Sequence, residues 1–190
     1  MAQKYAYDPK KAKELIQAAG IAAPVTLKLM VPNSGPGFGL AAQTIALIQQ
    51  DFKAVGVTLE PQFLEFSTLI ASERGGYKDD VNGSYNGWVI GAEMGYWLER
   101  MFGGAHHPPK GLNRGWYTNE KADVLFAQAQ EAADDARRNK LYQQAAELIA
   151  DEAPWVFLYQ DRLARIFRDR VTGIVPAGSV YIDYVAVAVR

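Results

Sequence analysis

Val25-Thr26-Leu27-Lys28-Leu29-Met30-Val31, then the loop Pro32-Asn33-Ser34-Gly35-Pro36-Gly37, decides the reading of this chain. The first run is β-prone and partly alternating, which predicts a strand. Two prolines and two glycines then break it. A helix is expected from about Leu40 to Ala54, with Ile45, Leu47, Ile48 and Phe52 on its apolar side. Gly56 ends it, and Val57 to Glu60 restarts as a strand. Strand, loop, helix, glycine and strand in that order predict an α/β unit with neighbouring parallel strands.

Outward from this unit, Asp8-Pro9 opens an earlier helix, because Asp caps well and Pro at the first helical position loses no useful N–H. Ala12, Leu15, Ile16 and Ala19 repeat at helical spacing and Gly20 closes them. Downstream, Ser67 is the expected cap of a short helix through Glu73, and Tyr85 to Ile90 reads as a strand. Gly91 to Gly115 is irregular by composition, and a loop that long is uncommon in a compact domain unless it is functional. Asn119 caps a helix to about Ala133; Asp134 or Asp135 starts another, which Pro154 stops. Trp155 to Tyr159 reads as a buried strand, and Leu163–Phe167 and Val180–Val189 as further strands.

The 190 residues fit one domain, since domains most often run roughly 100–150 residues. A net charge of −1 with interspersed signs argues against a nucleic-acid partner. The 12% aromatic content excludes a disordered chain. No apolar run approaches the roughly 18 residues of a membrane span, and Met1 to Tyr5 has no apolar signal region. Cysteine is absent, which removes thiolate catalysis, disulfides and thiolate metal sites. His106-His107 are the two histidines, and adjacent histidines rarely share a metal, so no metal site or cofactor is expected. No Gly-x-Ser-x-Gly elbow is present, and Gly35-Pro36-Gly37-Phe38-Gly39 lacks the Lys-Ser/Thr of a phosphate loop. The expectation is therefore not an enzyme.

Several segments together resemble one family. They are Tyr7-Asp8-Pro9-Lys10-Lys11-Ala12 through Ala19-Gly20; Ile48-Gln49-Gln50-Asp51-Phe52-Lys53-Ala54-Val55-Gly56-Val57; and Gly87-Trp88. Tyr117-x-Asn119-x-x-x-Asp123-x-Leu125 follows, and then Arg138-x-x-Leu141-Tyr142 through Ala153-Pro154. Their order and spacing resemble the C-terminal lobe of bacterial extracellular solute-binding proteins, family 5, in the dipeptide, oligopeptide and nickel branch of ABC importers.

The resemblance implies a periplasmic-binding-protein-like lobe spanning 1–190, α/β, with a mixed sheet flanked by helices. It implies a peptide or other small solute as ligand, an N-terminal lobe missing from this sequence, a membrane permease as partner, and a periplasmic or extracytoplasmic parent. In the family a carboxylate three residues after the Gly-Trp tryptophan often holds a peptide's amino group. Here that position is Gly91, and the nearest acid is Glu93, two residues on. Trp88, Glu93, Asn113, Trp116 and Tyr117 form the implied ligand-binding set; Trp88 and Trp116 fit either a pocket wall or core packing. An alternative is a free-standing interaction or dimerisation module derived from such a lobe.

Overall fold

The computed structural model describes residues 5–22, 24–35, 38, 40–78, 80–88, 94–159, 166–175 and 184–190. Helix α1 (Pro9–Ala18) starts as expected: the Asp8 carboxylate accepts from Lys11 N at 2.8 Å, and Pro9 opens the first turn. Strand β1 (Val25–Pro32) leads to α2 (Ala41–Ala54) and then β2 (Val57–Leu64). Gly56, at φ +85°, makes the tight turn between α2 and β2 that a side chain would resist. β1 and β2 pair in parallel from Val25 against Val57 to Pro32 against Leu64.

Helix α3 (Phe66–Arg74) follows, and its cap is Glu65 rather than Ser67. The Glu65 carboxylate accepts from the Ser67 and Thr68 amides, at 2.8 and 3.2 Å, so Ser67 serves as a donor inside the first turn. The short strand β3 (Gly83–Ser84) pairs in parallel with Leu29 and Met30, giving the order β2-β1-β3. It lies just before the expected 85–90 strand: Tyr85 to Trp88 carry no ladder beyond the Tyr85 N to Met30 O bond, and Val89 and Ile90 fall outside the described residues. The alternation Leu27, Leu29, Val31 places these three on one face, where Phe38, Ala41, Ile45, Leu59 and Tyr85 complete the first core.

The second core is helical. Helix α4 (Met94–Phe102), a 3-10 turn (Gly104–His106), α5 (Glu120–Glu131) and α6 (Asp135–Glu152) enclose Met101, Phe102, Ala122, Phe126, Ala145 and Ile149. Finding α4 corrects the irregular reading of 91–115. Gly95, which argues against a helix by propensity, is required because a Cβ there would collide with the Tyr142 ring of α6. Asn119 and Asp134 cap α5 and α6 as expected.

Trp155 to Tyr159 is not a buried strand. It has no ladder partner among the described residues, and Val156, Phe157, Leu158 and Tyr159 are exposed. An apolar run becomes a strand only when a neighbour satisfies its backbone groups. Leu163 to Arg165 and Val180 to Asp183 lie outside the described residues, and Ile166 and Phe167 are not in a strand. Of the final expected strand, β5 (Ala188–Val189) is seen, antiparallel to β4 (Val171–Thr172) in a separate two-stranded ribbon. The described strands of the main sheet are all parallel, and the fold is α/β with flanking helices.

Candidate functional site

Three parallel strands end together at Pro32, Leu64 and Ser84, and in open α/β sheets ligands bind outside such carboxyl ends. Aromatic rings fill this edge. Phe38 lies 5.7 Å from Phe66 and 6.0 Å from Tyr85 between ring centroids, and Gly87 packs against Phe38. The chain leaves β3 through Asn86 and Gly87 to Trp88, whose ring packs into the helical core 6.3 Å from Trp97.

A buried ionic seam joins the two cores beside Trp88. The Glu73 carboxylate of α3, 1% exposed, pairs with Arg114, 6% exposed. Asn86 Nδ2 donates to both Glu73 oxygens at 2.8 Å, and Ser84 Oγ donates to Oε1. The Tyr77 hydroxyl meets Ser84 Oγ at 2.9 Å; burial raises the Tyr77 pKa, and the Ser84 bond opposes the rise. The Arg114 guanidinium carbon stands 5.0 Å over the Trp88 ring, a cation–π contact. Burial pulls the Arg114 pKa below its usual value, and its Nε has no hydrogen-bond partner among the described residues. A charge this deep is tolerable only because Glu73 opposes it.

The loop that carries Arg114 also carries three of the expected site residues. Asn113 is buried and its amide is committed to the backbone: Nδ2 donates to Gly103 O at 3.0 Å and Tyr117 O at 2.7 Å, while Oδ1 accepts from Tyr117 N at 3.1 Å. The Tyr117 hydroxyl donates to Glu152 Oε2 at 2.6 Å, tying the loop to the end of α6. Burial, and then the Glu152 bond, raise the Tyr117 pKa. Trp116 is 54% exposed, and its ring lies 5.0 Å from that of His107. Asn113, Trp116 and Tyr117 thus share one loop, and Arg114 links that loop to Trp88; no ring contact joins Trp88 to Trp116. Glu93 lies outside the described residues.

His106 Nε2 faces Glu99 Oε1 at 3.4 Å, and His107 Nε2 faces the Tyr117 carbonyl at 3.0 Å, so the adjacent rings serve different partners. Among the described residues, no group of three His, Asp or Glu side chains is placed to hold a metal ion. Sequence reasoning missed Glu73 and Arg114. The available signal was Glu73 four residues after Leu69, on the helix face that Leu69 buries.

Over 170 residues, 88% of its length, the chain is 31% identical to the glutathione-binding protein GsiB of Pectobacterium atrosepticum. The chain is a relative of the solute-binding proteins. Its identity to the glutathione-binding protein GsiB of Escherichia coli K12 is 29% over the same share of the chain. It spans about a third of these relatives, 32% and 33% of their lengths. No family model matches.

Among solved structures, the fold of this chain superposes on the ABC transporter-associated periplasmic binding protein DppA of Helicobacter pylori, in complex with a peptide. The TM-score is 0.76 at 20% identity, over 98% of this chain and 35% of that one. The ABC transporter substrate-binding protein CtaP of Listeria monocytogenes matches at TM-score 0.64 and 26% identity, over 77% of this chain and 28% of that one. Relatives and neighbours are substrate-binding proteins rather than enzymes. No helix among the described residues is long and apolar enough to cross a membrane.

Proposed function

We propose that residues 1–190 act as one ligand-binding lobe, the C-terminal one, of the solute-binding component of an ABC importer. The observation that carries this reading is the carboxyl edge of the parallel sheet, where β3 ends at Ser84 just before Trp88 and Glu73 joins Ser84 to Arg114 of the Asn113–Tyr117 loop. Large, stiff aromatic surfaces with few torsions to freeze suit a pocket between lobes. Chain coverage supports the single-lobe reading, since the match spans about a third of each relative.

Function here is non-covalent. A peptide or small solute docks, an N-terminal lobe outside this sequence closes over it, and the closed form engages a membrane permease. Trp88 and Trp116 contribute apolar walls, and Glu93 is the carboxylate available to a ligand ammonium. Asn113 and Tyr117 serve the same site by holding its loop. The parent works in the periplasm or another extracytoplasmic compartment and catalyses no reaction.

The test is titration calorimetry with reduced glutathione and a set of di- to pentapeptides, on residues 1–190 and on the full reading frame of the parent gene. Saturable binding by the two-lobed protein, with none by residues 1–190, is the expected pair. Equally tight binding by both would overturn the division of labour between lobes.

A second reading, an interaction module, draws on the exposed run Val156 to Tyr159. It predicts a concentration-dependent mass for residues 1–190 in light scattering. A monomer at every concentration removes it.

A further inference from the structure

Trp116 combines two properties that rarely coincide. Its backbone is left-handed, φ +53°, a region that bulky residues avoid, and yet the residue is 54% exposed rather than locked in a core. A strained conformation persists only where its surroundings over-determine it. Asn113 does this for the backbone: Trp116 N donates to Asn113 O at 3.2 Å, and the Asn113 amide clamps Tyr117 N and O.

The ring has a separate support. The His107 imidazole lies 5.0 Å from it at an interplanar angle of 37°, and His107 Nε2 reaches the Tyr117 carbonyl at 3.0 Å. A carbonyl only accepts, so Nε2 is the donor of this bond, which fixes the imidazole's orientation under the indole. His106, the other histidine, faces Glu99 instead.

We propose that His107 is the positioning residue for Trp116: it fixes the indole's pose, so that Trp116 presents its outward face to ligand as a preset platform. The ligand-facing part of this statement rests on the importer reading; the His107–Trp116 coupling does not.

The test is fluorine NMR of the whole chain labelled with 5-fluorotryptophan. Four resonances are expected from the four tryptophans, and the Trp116 signal is assigned by its loss in Trp116→Phe. His106→Gln should leave this signal at its wild-type position. His107→Phe should also leave it near that position, because a ring still supports the indole. His107→Ala should send the signal toward its position in the urea-unfolded protein, with the other three unmoved.

A Trp116 signal that holds its place in His107→Ala overturns the proposal. If His107→Ala displaces all four signals, His107→Phe still decides: a Trp116 signal that shifts there while the other three stay put overturns the ring support. None of these readings involves a ligand, so failure of the importer reading would leave them standing.

Discussion

The loop Asn113–Tyr117 and the run Trp155–Tyr159 are each five residues long, and their order runs opposite to their hydrophobicity. The loop holds Asn, Arg and Gly, yet Asn113 and Arg114 are buried and every polar atom of the Asn113 amide is used. The run is Trp-Val-Phe-Leu-Tyr, and after Trp155 all of it is exposed, Val156 by 75%. Burial needs partners for the backbone as well as apolar cover, and the loop has both. Phe102 touches both segments: its ring lies 4.6 Å from Trp155, 6.2 Å from Phe157 and 6.0 Å, edge-on, from Tyr117.

Removing that shared support gives the largest expected effect. Phe102→Ala should lower stability by about 3–5 kcal/mol in urea unfolding, through lost transfer energy and the cavity left behind. A loss under about 1 kcal/mol would mean that the helical core collapses freely, and the contrast between pinned loop and loose run would lose its physical basis.

Arg114→Met tests the loop's anchor. It leaves Glu73 as an uncompensated buried charge, and breaking a buried pair from one side costs about 3–5 kcal/mol. The double variant Glu73→Met/Arg114→Met should recover much of that loss, because replacing both charges by apolar groups is often close to neutral. If the double variant is the sum of the singles, the seam is not acting as a pair. Asn113→Ala should cost less, about 1–3 kcal/mol, since it strands backbone groups rather than a charge.

The same contrast explains what the sequence made legible. Caps were readable because capping is local chemistry: Asp8 with Pro9, Asn119 and Asp134 all start helices, and Pro154 follows the last one. The parallel pair β1 and β2 followed from a strand–helix–strand pattern with Gly56 at its joint. Helix α4 was hidden because Gly95, Gly103 and Gly104 read as breakers, whereas Gly95 exists to let α4 approach Tyr142. Trp155–Tyr159 misled because an apolar run states that it wants cover, not whether a neighbouring strand will supply it. Among the residues proposed for the site, Trp88 and Trp116 stood out as aromatics beside glycines, and Asn113 and Tyr117 as their neighbours. Glu73 and Arg114 were not, since lone charges far apart in sequence read as solvated until the fold brings them together.

At the small end of the scale, Val156→Thr should stay within about 0.5 kcal/mol of wild type, as surface substitutions do. A larger loss would show that the run has a partner in solution. If Val156→Thr also abolishes a concentration-dependent mass, that partner is a second copy of the chain.

The finest effect lies where the loop meets α6. The Tyr117 hydroxyl, and then Asn119, hold the Glu152 carboxyl below its ordinary pKa. A carboxyl depressed in the folded state binds its proton more readily when unfolded, so its contribution is present above the unfolded pKa. That contribution is lost as pH falls through the folded value, below the ordinary 4.5. Tyr117→Phe should therefore raise the Glu152 titration midpoint toward the ordinary value, followed through its side-chain carboxyl carbon by NMR. Glu152→Gln should flatten the acid limb of stability against pH, with no change near neutrality traceable to titration. A Glu152 midpoint that stays put in Tyr117→Phe would mean that Asn119 and the Lys121 charge set it, leaving the loop tied to α6 by packing on Phe102 rather than through Tyr117.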